Sequence, residues 1–387
     1  MDIAVTQDDS HSTRYNELFN LYQHSLFRDL WAQATQWWGH GPWPSAALEL
    51  LRARTLSQLG NDRHCNALLW RLWRKHPQLP GLAPFIASLY LRSRGPLVAL
   101  RMLPLIEERA QPNDKDRADM RGEKAEILAR FRDFSAADEC LGDIEKNGDD
   151  WQLLSVAEVK YLQDDYTAAL AVIDKVLART PHYRAALLFK ANVLQLQQDL
   201  TQAIAILADF WPTTQSFWAG RLLCSLYIES QQYAQAHECL IRLKTLPVFS
   251  SKDADRTLRA LQADLLCAEQ RYEEALDYIE QKHFFGKSIV DAITRTTDSR
   301  TRKVVNVPFV RQANMTCAPA SITAVAAYWG VSVAQADVVE AICYGGTQSV
   351  DERRWAEENG WYAHEFQLTF SAAKSLLDHD IPILLAT

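Results

Sequence analysis

Cys317 is the residue whose setting most invites chemistry. It follows a polar turn holding Gln312 and Asn314, and it opens the apolar stretch CAPASITAVAAYWG. The pattern predicts a helix over Cys317–Trp329, with Pro319 acceptable in its first turn and Gly330 past its end. A thiol at a helix N-terminus faces unpaired backbone N–H groups and the positive end of the macrodipole, and both favour thiolate over thiol. Gln312 stands five residues upstream. From there it can aim an amide donor at the oxygen that turns negative when a thiolate attacks a carbonyl. The competing reading is a structural thiol at a helix start. The other six cysteines, at positions 65, 140, 224, 239, 267 and 343, carry no CxxC or Cys/His zinc spacing. They read as small buried hydrophobes.

Short mixed elements surround that pair. Val304–Val310 has strand composition ahead of the turn. Ser332–Cys343 reads as an amphipathic helix with Ser332 as its cap. Gly345 and Gly346 break the chain, and a helix over Val350–Asn359 closes at Gly360. Trp361–Leu368 alternates like a strand, Ser371–His379 reads as a short helix, and Ile381–Ala386 as an apolar strand. Together they predict an α+β arrangement over 304–387.

The residues before about 285 have another texture. Residues 1–13 are polar and expected to be without order. From about residue 14 amphipathic helices follow one another at a fixed period. A small residue recurs at Ala32, Cys65, Ala99, Ala137, Ala169, Ala203, Ala236 and Ala275, at intervals of 32 to 39 residues. A second small position lies twelve residues before it in most units: Ala53, Ala87, Ala125, Ala157, Ala191, Cys224 and Ala263. Larger apolar residues follow both sites, and prolines such as Pro77, Pro112 and Pro181 stop the second helix of a unit. At these residues the sequence resembles the tetratricopeptide repeat, a helix–turn–helix unit of about 34 residues. That resemblance implies about eight units over 14–285 forming a superhelix, with a concave face that takes a peptide or protein partner. No Lys/Arg pattern marks a clamp for a C-terminal carboxylate. A polar segment over 286–303, carrying Arg300, Arg302 and Lys303, reads as a linker.

With the repeats assigned, the C-terminal residues resemble the papain-like cysteine peptidases of the bacteriocin-processing, double-glycine-leader family. The glutamine, the turn, the cysteine opening a helix, Pro-Ala-Ser-Ile, and Tyr328-Trp329-Gly330 carry the likeness, with Gly345 to Thr347 and Asn359-Gly360 fitting further on. Ala318 stands where relatives usually have glycine. The resemblance implies Cys317 as nucleophile and Gln312 as oxyanion-hole donor. It also implies a downstream histidine and an acid or amide to orient it. Only His364 and His379 follow the cysteine. Both are flanked by acids and expected at the surface. The domain therefore reads as incomplete at its C-terminus, and this chain alone is expected to be inactive.

Composition narrows the rest. A net charge of −7 supplies no basic footprint for nucleic acid. No apolar run is long enough for a membrane span. The N-terminus carries acids where a signal peptide carries Lys or Arg, which gives a cytoplasmic, bacterial-type expectation. No cofactor or metal is expected. The fold expectation is mainly α, a repeat superhelix followed by a partial α+β peptidase domain. The leading function is a thiol hydrolase whose repeats recruit a peptide. The alternatives are a non-catalytic interaction scaffold and an acyltransferase or amidase using the same cysteine.

Overall fold

The computed structural model describes residues 4–249, 252–279, 290, 303–313, 315–343 and 346–385. Most of the expected linker, together with Asn314, Gly345, Arg300, Arg302 and the end of the expected strand at Ala386, lies outside them. The chain divides into two compact units. One comprises Met1–Ile127, Ser135–Tyr161 and Asp165–Arg295; the other comprises Leu128–Phe134, Leu162–Asp164 and Thr296–Thr387.

Up to residue 278 the described chain is helical, its helices taken two at a time. The elements are α1 (Ala4–Gln23), α2 (Phe27–Trp38), α3 (Ala46–Gln58), α4 (Asp62–Lys75), α5 (Leu82–Arg94) and α6 (Pro96–Ala110). They continue with α7 (Asp114–Arg130), α8 (Phe134–Leu141), the single turn α9 (Ile144–Asn147), α10 (Asp150–Leu162) and α11 (Tyr166–Arg179). The series ends with α12 (Arg184–Leu196), α13 (Leu200–Phe210), α14 (Phe217–Glu229), α15 (Tyr233–Leu243), α16 (Lys252–Ala268) and α17 (Tyr272–Ala275). Helix α1 begins at Ala4, inside the stretch expected to be without order. Its C-terminal half is anchored by Leu18 and Tyr22, both buried, and the polar turns extend backward from that anchor.

One turn chemistry joins most of the pairs. The first helix ends on a residue in the left-handed region, and the next residue's N–H bonds back five residues, as in Asn61→Leu56, Asp165→Lys160, Asp199→Leu194, Gln232→Tyr227 and Arg271→Leu266. This is the Schellman closure. The residue that completes it also begins the second helix, and Asp165 and Asp199 accept from the N–H groups of Ala168 and Gln202. The left-handed position is glycine at Gly60 but glutamine at Gln198, Gln231 and Gln270, with φ of 62°, 61° and 64°. A β-carbon there costs roughly 1–2 kcal/mol, against which glycine loses about 0.4–1 kcal/mol through the freedom it gives the unfolded chain. Glycine at all three glutamines is therefore expected to stabilise the fold by about 1.5 kcal/mol in total, since distant turns add. Urea denaturation of the triple variant measures it, and an unchanged midpoint would mean these turns hold no strain.

The small residues of the period lie where helices approach. Ala53, Ala87, Ala125, Ala157, Ala191, Cys224 and Ala263 are buried, as are Cys65, Ala99, Ala137, Ala169, Ala203, Ala236 and Ala275. Ala32 departs from the series: it is exposed, and Trp31 and Ala34 carry the buried face of α2. The first hairpin packs with a tryptophan where later ones use alanine, so the period slips at that end.

An open array of such hairpins touches only nearest neighbours. Here the early and late hairpins meet. Gln215, in the loop before α14, accepts from the backbone N–H groups of Arg28 and Asp29 and so caps α2 from 187 residues away. Its own N–H bonds Ser25. Trp218 donates its indole N–H to the Ser57 carbonyl at the end of α3, at 2.8 Å. Asn61 donates to the Phe249 carbonyl and accepts from the Val248 N–H, at 2.9 and 3.1 Å. The Phe249 ring meets Trp31 edge-on and lies 4.9 Å from His64. At Gly60 an added β-carbon would stand 3.0 Å from the Phe217 ring. One continuous apolar cluster takes buried residues from α1–α7 and from α12–α16. The repeats of this unit close into a ring.

In the second unit the described helices are α18 (Cys317–Tyr328), α19 (Gln335–Ile342), α20 (Ser349–Glu358) and α21 (Phe370–Asp378). Each lies within three residues of its expected span. Helix α19 starts after Ala334, so Ser332 does not cap it. The core is small: Val338, Ile342 and Trp355, packed by Ile322, Val333 and Trp361. The strands expected over 304–310, 361–368 and 381–385 are absent, and no strand occurs among the described residues. The α+β expectation is corrected to an all-helical one. Alternating apolar residues form a strand only with a hydrogen-bonding partner, and these segments have none among the described residues. Their side chains show it, with Phe309 80% and Tyr362 92% exposed.

Candidate functional site

The ring surrounds a cavity, open to solvent, of about 1250 Å³. Its lining comes from α1, α3, α4, α5, α10, α11, α12 and α13 and the loops beside them, so no single repeat makes it. Toward the inside lie buried or half-buried side chains such as Tyr22, Leu69, Phe85, Trp151 and Phe210. Arg179, Thr180, Pro181 and His182 line it from exposed positions and form its rim.

Arginines concentrate on Tyr22. The Arg54 guanidinium lies 4.8 Å from the Tyr22 ring centroid and 5.1 Å from that of Phe85. Arg184 lies 5.6 Å from Tyr22 and 4.9 Å from Phe27, and donates to Ser25 Oγ. Both guanidinium groups also act electrostatically on the Tyr22 hydroxyl. Burial alone would raise that hydroxyl's pKa, but the two adjacent positive charges outweigh it and hold the phenol below its ordinary value. The cavity's acids are engaged elsewhere. Asp149 pairs with Lys115 at 2.5 Å and accepts from the N–H groups of Trp151 and Gln152. Asp150 accepts from the Thr180 hydroxyl and faces Arg179 at 3.8 Å. Sequence reasoning missed this cluster. Arg54 and Arg184 are 130 positions apart and each reads locally as a helix-surface cation, so only ring closure brings them together.

In the second unit, Cys317 is the exposed first residue of α18, preceded by the buried cap residue Thr316. The turn ahead of it is braced. Gln335, at the start of α19, accepts from the Ala313 N–H at 3.0 Å and donates to the Arg311 carbonyl at 2.9 Å. Gln312 sits between those two anchors and is exposed. Cys343 is buried and donates to the Met315 carbonyl, as expected of a core thiol.

Neither downstream histidine is brought to Cys317 among the described residues. His379 bonds the Ser375 carbonyl. Its neighbour Asp380 receives the Tyr328 hydroxyl, at the far end of α18 and roughly 16 Å along the helix from Cys317. His364 stacks on Phe366 and borders a hollow with Arg353 and Glu357 of α20. No cluster of possible metal ligands occurs among the described residues, and none of their helices is long and apolar enough to cross a membrane.

No family model and no curated protein matches the chain. Among solved structures, a tetratricopeptide repeat protein from Parabacteroides merdae is similar over 65% of this chain and 99% of its own. The identity is 14% and the TM-score 0.40. At that level the likeness bears no weight, and the repeat reading rests on the period and the helical hairpins themselves.

Proposed function

We propose that the protein is a binding scaffold of the tetratricopeptide kind, whose working surface is the cavity inside the ring. The observation that carries this reading is the cavity's construction. Eight helices from across the first unit contribute to one hollow, with aromatic and cationic side chains facing it. Its volume suits a peptide segment or a sizeable small molecule, since ligand pockets commonly span roughly 300–1,000 Å³. Phe85 and Trp151, whose ring centroids are 6.1 Å apart, supply rigid apolar contact area.

Selection of peptides from a displayed random library on the full chain tests this. Selected peptides are expected to lose at least roughly ten-fold in affinity with Trp151→Ala or Phe85→Ala, as truncated aromatic anchors generally do. Retained affinity in both variants would place binding outside the cavity.

A second reading is favoured by one specific observation: Cys317 is exposed at a helix N-terminus, whereas Cys65, Cys224, Cys239 and Cys343 are buried. In it Cys317 is an activated thiol and Gln312 an oxyanion donor, as in the papain-like peptidases. Alkylation by iodoacetamide across pH, read by mass spectrometry, tests it. Cys65 is the slow internal control, because burial pushes its thiol up to about 12. An activated Cys317 would label with a midpoint well below the ordinary thiol value of about 8.5. A midpoint at the ordinary value would leave only the scaffold.

A further inference from the structure

We infer that the corner of the cavity formed by Arg54, Arg184 and Tyr22 is a binding site for a phosphate monoester. This rests on the cavity being the working surface, and names the chemistry that the surface takes. Two guanidinium groups lie over one tyrosine ring, 4.8 and 5.6 Å from its centroid. Neither forms an ion pair with a carboxylate among the described residues, and the nearby acids are held by Lys115, Thr180 and backbone N–H groups. Two like charges over one ring repel one another, more strongly away from bulk water. An anion between them removes that cost.

The geometry also fixes what kind of anion. The Arg54 guanidinium lies over both the Tyr22 and Phe85 rings, and that of Arg184 over Tyr22 and Phe27. With rings packed against both guanidinium groups, a ligand would meet them through their N–H groups. A guanidinium edge is a planar fork that fits two oxygens of a phosphate or carboxylate. A single carboxylate has one charge and two oxygens, which one fork satisfies. Two forks, two charges and a hydroxyl match a dianion with three acceptor oxygens. The remaining volume accommodates the group that carries the ester, and Phe85 and Trp151 offer it stacking faces.

Isothermal titration of the full chain with phenyl phosphate, benzoate, and a phosphotyrosine peptide with its unphosphorylated form tests the inference. Phenyl phosphate is expected to bind at least ten-fold more tightly than benzoate. Arg54→Gln and Arg184→Gln are each expected to weaken it by roughly ten- to hundred-fold, the range for a lost charge-assisted hydrogen bond. Arg101→Gln, on an exposed helix face away from the cavity, should leave it unchanged. Arg54→Lys keeps the charge without the fork and should fall between. Circular dichroism confirms that each variant is folded, and Tyr22→Phe, which keeps the ring, guards against a folding failure at both arginines. A phosphopeptide binding ten-fold more tightly than phenyl phosphate places the ester on a protein segment, while equal affinities place it on a small molecule; both uphold the site. Folded protein that binds no phosphate compound, that binds benzoate equally well, or that is indifferent to both glutamine variants overturns it. If library-selected peptides still need Trp151 and phosphate compounds do not displace them, the phosphate site falls while the cavity reading stands.

Discussion

Phe217→Ala is expected to lower the stability of the chain by about 3–5 kcal/mol, the usual cost of emptying a fully buried aromatic site. Phe217 is 0% exposed. Its ring covers Gly60 so closely that a β-carbon there would stand 3.0 Å away, and it meets Trp218 edge-on at 5.4 Å. The backbone around it cannot collapse to fill the hole, because Gln215 and Trp218 tie both sides of the site to α2 and α3 by hydrogen bonds. The loss is read from the urea midpoint. A cost below about 1 kcal/mol, the level of a tolerated core swap, would mean that early and late hairpins do not meet at this residue.

Asn61→Ala is expected to cost about 2–4 kcal/mol, from two hydrogen bonds whose partners are left unpaired near the core. In the equivalent turns, Asp165 and Asp199 cap their own helices. Asn61, which is 0% exposed, makes no cap bond, and its amide spans to the backbone of Val248 and Phe249. Asn61→Asp discriminates between the two roles. A carboxylate can cap α4 and can accept from the Val248 N–H, but it cannot donate to the Phe249 carbonyl. It should therefore destabilise nearly as much as alanine. A stabilising Asn61→Asp, measured by the same denaturation, would show that local capping outweighs the long-range bonds.

The repeats were legible because their signal is local and recurrent. The alanine at a helix crossing is needed in every unit, so the spacing survives even where the signature aromatic residues are replaced. It failed at Ala32, where Trp31 takes over the packing. Ring closure was not legible. Asn61 and Phe249 are 188 positions apart, and what joins them is the sum of small rotations between successive hairpins, which no single window contains. The arginine cluster was hidden for the same reason. In the second unit the helices were readable from caps and glycines, but the strands over 304–310 and 361–368 were not sound expectations. Alternation records a side-chain pattern, and a strand also needs a neighbouring backbone that the pattern does not specify. Gln312 and Cys317 both stand exposed beside the turn, and the brace that holds the turn, Gln335, carries no motif.

Closure also fixes the number of parts. An open array tolerates duplication or loss of a unit, since each new interface copies the last. In this ring a single added or deleted hairpin would displace the 248–249 segment from Asn61 by at least one helix diameter, about 8–10 Å. Every bond at the seam would be lost at once. Copy number is therefore under structural selection here, and change in this protein must proceed by substitution within a set circumference.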